Sequence, residues 1–280
     1  MTQSVATKRT IGSIAGTVVL VGAGKMGGAL LEGWFRLGLN PRKTVVLEPQ
    51  PTKGIVALKR RGLRLNPASK TVGHAAVIVL AIKPQSAPEV LPSLLPLLGV
   101  KTVVVSIMAG RPIRFLERAL PRAAIVRAMP NSPAAIGRGI TVACPNARVS
   151  ANQRALAHKL LAATGAVEWV NDEALMDAVT AVSGSGPAYV FLLAEALAQA
   201  GKAAGLPGTL ADKLARATVA GAGELLHRSE LDAATLRSNV TSPGGTTAAA
   251  LEILMGEGGL EPLLTKAVMA ATKRGRELAG

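Results

Sequence analysis

The sequence predicts two domains: a doubly wound α/β domain built on a parallel sheet, and an all-α domain after it. Up to Val170, short β-branched runs alternate with helical stretches, and such alternation gives a parallel sheet with right-handed crossovers. After Val170 only helix-favouring stretches follow. The 280 residues, 49% of them apolar, are enough for two domains. With three Phe, two Trp and one Tyr, the cores must be packed with aliphatic side chains.

Three segments are expected along the chain. Residues 1–16 form a flexible N-terminal extension, because they lack the apolar centre of a signal peptide. Residues 17–170 form the α/β domain and residues 171–280 form the helical domain. Strands are expected at residues 17–22, 43–48, 75–82, 101–107, 123–129 and 166–170, with helices at 27–38 and 151–164 among the connections.

The helical domain contains an apolar stretch, AYVFLLAEALAQA, that follows Gly186 and Pro187. This stretch offers little polar surface to water, and helices of that kind pack against another copy of the chain. We therefore expect this all-α domain to form a homodimer or a larger homo-oligomer. No uninterrupted apolar run reaches the roughly 18 residues that a membrane helix needs, so we expect no membrane partner.

The net charge of +15 is concentrated in the first domain: residues 1–170 carry 23 Lys and Arg against 5 Asp and Glu, and residues 171–280 carry 9 against 12. A basic domain steers phosphate-bearing ligands, but a solvated basic face without a partner explains the charge equally well. The scarcity of aromatic residues argues against a stacking surface for nucleic acid. Cys144 is the only cysteine, which excludes an intramolecular disulfide and a thiolate metal cluster and indicates a reducing, cytoplasmic location.

A glycine-rich motif follows the first expected strand. In VVLVGAGKMGGAL, Gly22, Gly24 and Gly27 have the G-x-G-x-x-G spacing between a strand and a helix. The first glycine permits a tight turn, the second lets the backbone approach a pyrophosphate, and the third lets the helix pack on the strand. The helix N-terminus then binds the phosphates. The motif predicts a Rossmann-type dinucleotide-binding domain.

Glu48 ends the second expected strand, about twenty residues beyond the motif, where a carboxylate accepts both hydroxyls of the adenosine ribose. This placement favours NADH, because the carboxylate repels the 2′-phosphate of NADPH. Lys43 or Lys53 would offset the repulsion, so the choice between NADH and NADPH stays open. A solvated glutamate at a strand end is the alternative without a function.

Two further loops follow strands at the edge where open α/β sheets bind their ligands. AIKPQ follows the third expected strand and RAMPNSP follows the fifth. These sequences place Lys83, Pro84, Pro130 and Asn131 in the loops. We expect a wall beside the nicotinamide there, and ordinary loop prolines are the alternative.

The three histidines, His74, His158 and His227, lie outside these loops. Reduction of a carbonyl requires a proton for the nascent alkoxide, which a His or Lys usually supplies. Hydride converts an iminium cation directly into an amine. The sequence therefore favours a C=N substrate, although a Lys or Tyr could still serve a carbonyl.

The stretch NVTSPGGTTAAALE, from Asn239 to Glu252, places hydroxyl and glycine residues directly before a helix. The first N–H groups of a helix have no intrahelical partner and can bind an anion. Since the first glycine-rich turn already accommodates the phosphates, this second turn is available for a small carboxylate. A Ser/Thr helix cap after a Pro-Gly turn is the alternative.

Taken together, VGAGKMG, AIKPQ, RAMPNSP, DAVTAVSGSGPAY and VTSPGGTTAAALE resemble pyrroline-5-carboxylate reductase, from about Thr17 to the C-terminus. SGSGPAY and TSPGGTT are the specific parts, since the glycine motif occurs in many dehydrogenases. The resemblance implies reduction of 1-pyrroline-5-carboxylate to L-proline by NADPH or NADH, in a Rossmann domain joined to a helical dimerisation domain. It also favours the carboxylate site over the helix cap in the last loop.

The resemblance assigns roles position by position. It implies that the cofactor is held by Gly22, Ala23, Gly24, Lys25, Met26, Gly27, Ala81, Ile82, Lys83, Pro84, Ala109 and Asn239. Glu48, Pro130 and Asn131 join this set from their places at the ends of strands. The substrate carboxylate is assigned to Ser242, Gly244, Gly245 and Thr246, with Glu173 and Glu230 lining the same site. Thr247 is assigned a hydrogen bond to the ring nitrogen and is the candidate catalytic residue. Glu48 departs from family members with a small hydroxyl residue there, which puts NADPH preference in doubt.

Two other classes remain open. A 3-hydroxyacid dehydrogenase would also have two domains, but SGSGP lacks an obvious Lys or His acid. A non-catalytic protein that senses the redox state of the dinucleotide would need no second anion site, so SPGGTT counts against it.

Overall fold

The structure is a computed structural model that describes Ile11 and residues 14–279, with the backbone alone at residue 279. The described chain forms two compact units. One contains the residues up to Gly184 together with the segment that begins at Lys273, and the other is Ser185–Thr272. The last strand ends at Trp169. The helical residues between Trp169 and Ser185 therefore belong to the first unit, whereas the sequence-based boundary was placed after residue 170.

The first unit is built on one sheet of eight strands. They are β1 Thr17–Val21, β2 Thr44–Leu47, β3 Arg64–Leu65, β4 Ala75–Leu80, β5 Val103–Ser106, β6 Ala124–Met129, β7 Gly139–Pro145 and β8 Gly165–Trp169. Their order is β3-β2-β1-β4-β5-β6-β7-β8. The first six strands are parallel, β7 is antiparallel to β6, and β8 is parallel to β7.

The expected α/β fold with a doubly wound sheet is confirmed, but two strands were missed and the last two run in the opposite direction to the rest. β3 has only two residues, and β7, GITVACP, contains Gly and Pro, which are rare in strands. Only residues 130–138 separate β6 from β7, and they hold a short 3₁₀ turn, Ser132–Ile136. This connection is too short for a parallel crossover, so β7 returns antiparallel.

Eleven α-helices occur in the described chain. They are α1 Lys25–Arg36, α2 Lys53–Ala57, α3 Ala87–Val90, α4 Ile113–Ala119, α5 Ala151–Leu161, α6 Met176–Val179, α7 Gly186–Ala203, α8 Gly208–Arg228, α9 Ala233–Asn239, α10 Thr246–Leu254 and α11 Leu260–Ala279. A π-helical turn, Thr180–Gly184, stands between α6 and α7.

Two apolar cores cover the two faces of the sheet. Alternation along β1 sends Val18 and Leu20 to one core and Val19 and Val21 to the other. The first core contains α1 and α5, which are joined by a hydrogen bond from Trp34 Nε1 to the carbonyl of Leu160 (2.9 Å). Because both faces are covered by helices, all ligand-binding loops of this unit lie at the ends of the strands.

Ile11 and Ile14 are buried against the first core, with exposed fractions of 1% and 5%. The N–H of Ile11 donates to the carbonyl of Leu37 (2.8 Å). This part of the predicted flexible extension therefore packs on the first unit. The rest of that prediction, apart from residues 14–16, falls outside the described residues.

The second unit is helical and buries very little by itself. α7 and α8 pack as an antiparallel pair through small residues, and Ala198, Ala211 and Ala215 are the side chains buried in this unit among those described. Large apolar side chains remain exposed along α7, including Phe191 and Leu192 at 63% each. A helical layer of this kind needs a partner surface.

The stretch Glu173–Ala203 is long and apolar enough to cross a membrane by length and composition alone, although no such stretch was expected from the sequence. It is broken by Gly186 and Pro187 and contains the exposed face of α7. A second copy of the chain would also cover this apolar face. Length and composition are therefore equally compatible with a subunit interface and with a membrane-spanning segment.

Candidate functional site

The glycine-rich turn joins β1 to α1. Gly22 has φ +86°, and a Cβ built there would lie 2.6 Å from the carbonyl oxygen of Ala81, so a side chain is excluded by both conformation and space. A Cβ on Gly27 would collide with the carbonyl oxygen of Gly22. Around Gly24, by contrast, nothing lies within 4 Å. The turn thus leaves open space at the position where a pyrophosphate must approach the backbone.

The N-terminus of α1 is not capped by any side chain in the described part of the protein. Gly24 is the N-cap residue, and the first turn contains no acidic residue. The unpaired N–H groups and the helix dipole favour an anion there. Lys25 is exposed beside this end and Met26 is half-buried. These features fit the phosphates of a dinucleotide.

A cleft of about 770 Å³ opens at the carboxyl ends of β1, β2 and β4. Six residues predicted for the cofactor line it: Gly22, Gly24, Glu48, Ala81, Ile82 and Lys83. Sequence reasoning missed several other lining residues, namely Gln50, Asn66, Ser86, Glu89, Val90 and Ser93. A second cavity of about 750 Å³ lies along α1 and α2 and includes Ala23, Gly24 and Lys25.

Glu48 points from the end of β2 toward the glycine-rich turn. Its Oε2 accepts from the N–H of Ala23 (2.7 Å), and its Oε1 accepts from the N–H of Gln50 (3.0 Å). The carboxylate is therefore fixed in the cleft and is not a freely solvated side chain. Each oxygen still has a lone pair for a further donor.

The loops after β4, β5 and β6 hold the remaining predicted cofactor residues of this unit. Arg111 Nε donates to the carbonyl of Pro84 (3.2 Å), which ties the first two loops together. Ala109 is exposed, and Pro130 is buried. Asn131 Oδ1 accepts from the N–H of Ile140 (2.9 Å), so this side chain shapes the β6–β7 turn.

Glu173 is engaged in an ion pair within the first unit. Its Oε1 lies 2.8 Å from Arg127 Nη1 and also accepts from the N–H of Ile113 (2.8 Å), the first residue of α4. Asp177 Oδ1 lies 3.9 Å from Arg127 Nη2. The position was predicted to line the substrate site, and in this structure its carboxylate compensates a buried guanidinium.

Cys144 lies opposite Arg127 on β7 and is buried. Burial raises the pKa of the Cys144 thiol, the charge of Glu173 adds to the increase, and Arg127 opposes it. A thiol held protonated is a poor nucleophile. Within the described residues no group of three or more His, Cys, Asp and Glu side chains is placed to hold a metal ion.

The second candidate site lies in the other unit, at the N-terminus of α10. Gly245 is the N-cap residue, and no side chain caps the helix. The first i→i−4 hydrogen bond runs from Ala249 to the carbonyl of Gly245 (3.2 Å), so the N–H groups before it have no helical partner. Gly244 adopts φ +67°, which turns the chain into the helix.

The hydroxyls around this turn are not used as caps. In the part of the chain that the structure describes, Ser242, Thr246 and Thr247 make no side-chain hydrogen bond, whereas Thr241 Oγ1 donates to the carbonyl of Arg237 (2.7 Å). The alternative interpretation, a Ser/Thr helix cap, is therefore wrong for α10. In the same part of the chain the N–H of Gly245 donates to the carbonyl of Ser242 (3.0 Å). The turn therefore presents the hydroxyls together with the N–H groups of the first helical residues, but not with the N–H of Gly245.

Asn239 and Glu230 also belong to the second unit. Asn239 ends α9 and is exposed, and Glu230 is exposed in the turn between α8 and α9. Among residues that the structure describes, neither side chain has a hydrogen-bond partner, so their predicted contacts with cofactor and substrate stay predictions.

Comparison with known proteins gives the family. A family model described as pyrroline-5-carboxylate reductase dimerisation matches residues 173–278, and one described as NADP oxidoreductase, coenzyme F420-dependent, matches residues 17–110. The pyrroline-5-carboxylate reductase of a Synechocystis strain is 40% identical over 92% of this chain and 97% of that protein. The corresponding protein of Pseudomonas aeruginosa is 39% identical over 94% of this chain and 96% of its own length.

Solved structures agree with this similarity. A pyrroline-5-carboxylate reductase from Coxiella burnetii superposes with a TM-score of 0.88 at 33% identity, covering 95% of this chain and all of that one (100%). A Plasmodium falciparum pyrroline carboxylate reductase with NADP bound gives a TM-score of 0.78 at 29% identity, covering 94% of this chain and 98% of that one. With both fold and sequence matched over nearly its whole length, the chain belongs to the pyrroline-5-carboxylate reductase family.

Proposed function

We propose that this protein reduces the C=N bond of 1-pyrroline-5-carboxylate to give L-proline, with NADH or NADPH as the hydride donor. The observation that carries the proposal is the α10 turn, which no side chain of the described residues caps and where hydroxyls stand beside the N–H groups of the first helical residues. The chain thus has an anion site for a carboxylate in addition to the glycine-rich turn for phosphates. A dinucleotide sensor would have no use for the second site.

The residues at the cleft of the first unit would hold the cofactor, which supplies the hydride when bound. The backbone from Gly22 to Gly27 would bind the pyrophosphate, and Glu48 would accept from the adenosine ribose. The loop Ala81 to Pro84 would contact the nicotinamide half. Ala109, Pro130 and Asn131 are proposed to shape the same wall, and Asn239 is proposed as a further cofactor contact.

The residues at the α10 turn would orient the substrate. Ser242, Gly244 and Thr246 would donate to its carboxylate, and Thr247 would hydrogen-bond the ring nitrogen. Gly245 would line the same site, since its N–H donates to the carbonyl of Ser242 (3.0 Å). Hydride adds to the imine carbon, and the electron pair of the C=N bond moves to nitrogen, so a protonated imine becomes a neutral amine. No separate acid is required in that step, which fits the absence of His from both turns.

Glu173 and Glu230 are the remaining residues of the proposed substrate site. The Glu230 side chain makes no hydrogen bond or ion pair with the described residues, and its exposure in the α8–α9 turn is compatible with the role. Glu173 would have to serve a substrate while it neutralises Arg127. A structural role for Glu173 is the simpler alternative. Replacing Glu173 should lower the stability of the protein if the role is structural, and should raise the KM for the substrate if Glu173 binds it.

The chain has a dimerisation domain, and the exposed apolar face of α7 is consistent with a homodimer. We propose that these dimers assemble further and that the protein acts in the cytoplasm. A free, buried Cys144 suits a reducing compartment. A small-molecule substrate, without nucleic acid or membrane as partner, completes the proposal.

The decisive experiment is a steady-state assay of NADH and NADPH oxidation with and without 1-pyrroline-5-carboxylate, with proline identified as the product. Oxidation that depends on this substrate supports the proposal. Activity only with a 3-hydroxyacid and the oxidised cofactor would replace it with the rival dehydrogenase. Tight dinucleotide binding without turnover of either substrate would favour a sensor.

A further inference from the structure

The carboxylate of Glu48 is held in one orientation by two backbone donors from different segments. Ala23 belongs to the glycine-rich turn, and Gln50 belongs to the loop after β2. With one N–H on each oxygen, the remaining lone pairs face the cleft that both segments line. A vicinal diol could donate to this carboxylate, and a phosphate in the same place would meet its negative charge.

Asn66 fixes the backbone from which Glu48 projects. Its Oδ1 accepts from the N–H of Glu48 (2.8 Å), and its Nδ2 donates to the carbonyl of Glu48 (2.8 Å). The N–H of Asn66 donates in turn to the carbonyl of Val46 (2.9 Å). Asn66 reaches this position with φ +48°, a left-handed conformation that Asn tolerates better than most residues. The side chain extends the pairing between β2 and β3 by one residue.

The charges that line the cleft do not offset Glu48. Among the described residues, the lining contains two carboxylates, Glu48 and Glu89, and one cation, Lys83. Lys43 Nζ donates to the carbonyl of Ile14 (3.2 Å), and Lys53 lines a separate small cavity. The two lysines that could have neutralised a 2′-phosphate are therefore not part of the cleft.

We infer that this protein selects NADH over NADPH, with Glu48 as the residue that discriminates and Asn66 as the residue that positions it. The inference rests on the proposed function only in that the ligand is a nicotinamide dinucleotide. Selection arises because the fixed carboxylate binds the two ribose hydroxyls of NADH and repels the additional phosphate of NADPH.

The first test is binding by the unmodified protein. Dissociation constants for NADH and NADPH are measured by fluorescence titration, with adenosine 5′-monophosphate and adenosine 2′,5′-bisphosphate as competitors that report on the ribose position alone. NADH and the monophosphate should bind at least about tenfold more tightly than their 2′-phosphorylated counterparts, the scale expected for like charges in contact. Equal or tighter binding of NADPH would overturn the inference.

The second test is the Glu48→Ser variant, with Glu168→Ser as its matched control. Glu168 is an exposed residue of β8, at the opposite edge of the sheet from β3, so the control removes one carboxylate from the same unit. Glu48→Ser should weaken NADH and strengthen NADPH, so that the affinity ratio falls by about tenfold or more, and the control should leave it unchanged. A ratio that survives Glu48→Ser would show that another residue discriminates.

The third test addresses Asn66. Asn66→Gly keeps the left-handed backbone and removes only the side-chain clamp. If Asn66 has only a structural role, the variant should bind NADH and NADPH more weakly by the same factor. If Asn66 positions Glu48, the preference for NADH over NADPH should fall several-fold. An unchanged ratio of the NADH and NADPH dissociation constants would refute the positioning role of Asn66.

These outcomes are separable from those of the proposed reaction. A protein that binds NADH selectively without reducing 1-pyrroline-5-carboxylate would contradict the function and support the selectivity. A protein that turns over this substrate and prefers NADPH would do the reverse.

Discussion

Arg127 and Glu173 form an ion pair of 2.8 Å, in which the arginine side chain is 7% exposed and the glutamate side chain 29%. The pair joins the middle of β6 to the segment that follows β8 and, through the N–H of Ile113, to the start of α4. A guanidinium at this depth requires a carboxylate partner, because an uncompensated buried charge is costly. The pair thus ties the far part of the sheet to the helices that cover it.

Glu173→Ala should therefore reduce the free energy of unfolding by about 2 to 3 kcal/mol, since it leaves the charge of Arg127 without its nearest partner. Urea denaturation measures the loss. Glu117→Ala is the control, because its ion pair with Arg148 is solvent-exposed and should contribute under about 1 kcal/mol. Unchanged stability with a raised KM for 1-pyrroline-5-carboxylate would instead place Glu173 in the substrate site.

Gly24→Val should leave the fold intact and strongly weaken cofactor binding. A Cβ at this position meets nothing in the protein, so the melting temperature should hardly change. The valine would occupy the space of the pyrophosphate, and loss of charge-assisted contacts there should weaken NADH by roughly 100-fold. Fluorescence titration and thermal unfolding on one sample measure both quantities. Undiminished NADH affinity would remove the phosphate site from this turn.

Thr247→Val should reduce turnover by about 30-fold to 200-fold, equivalent to roughly 2 to 3 kcal/mol in the barrier, because the hydroxyl is proposed to stabilise the ring nitrogen as its charge changes. Thr246→Val should cost much less, since that position is proposed to contribute its backbone N–H. The comparison uses saturating cofactor and varied 1-pyrroline-5-carboxylate. If Thr246→Val is the more damaging change, the assignment is displaced by one residue; if neither matters, the turn does not bind the reacting group.

Phe191→Glu should dissociate the dimer. Phe191 is 63% exposed on α7, and a partner that covers it would have to bury the new charge, which should raise the dimer dissociation constant by about 100-fold or more. Light scattering over a dilution series measures the change. Val56→Glu makes the same substitution at an exposed apolar site on α2 and should have no effect. A parent protein that is an active monomer at nanomolar concentration would contradict the interface.

Asp232 should make the stability of α9 depend on pH. Its carboxylate caps the helix by accepting from the N–H of Thr235 (2.7 Å), and this hydrogen bond lowers the pKa of Asp232 from its ordinary value of 3.8. Because the folded pKa is depressed, the stabilisation is present above the ordinary value and is lost as the pH falls through the folded value. Asp232→Asn keeps the hydrogen-bond acceptor, so the melting temperature of this variant should change less between neutral and acid pH than that of the parent protein. Asp232→Ala removes the acceptor and should lower the melting temperature at neutral pH. An identical acid dependence in all three proteins would mean that other carboxylates dominate.

The sequence predicted the features that rest on local chemistry. The structure confirms the tight conformation of the glycine-rich turn, since backbone atoms lie too close to Gly22 and Gly27 for a Cβ. Only glycine fits these positions, which is why the sequence alone could predict the turn. β7 was missed because its pairing with β6 is set by a short turn and not by its own composition. The role of Asn66 could not be predicted from a sequence motif. Its hydrogen bonds to Glu48 span eighteen residues and depend on the position of β3 beside β2. The ion pair of Glu173 with Arg127 likewise depends on tertiary packing and could not be predicted from the sequence.

The uncapped turn of α10 has a consequence for how the protein behaves in solution. If the α10 turn binds a carboxylate as proposed, that ligand stabilises the folded protein by RT ln(1 + [L]/Kd). Proline and other small carboxylates should therefore raise the melting temperature, and the increase should continue with the logarithm of their concentration once the turn is occupied. Acetate or citrate in a buffer should act as weak competitors, so kinetic constants measured in such buffers will depend on the choice of anion.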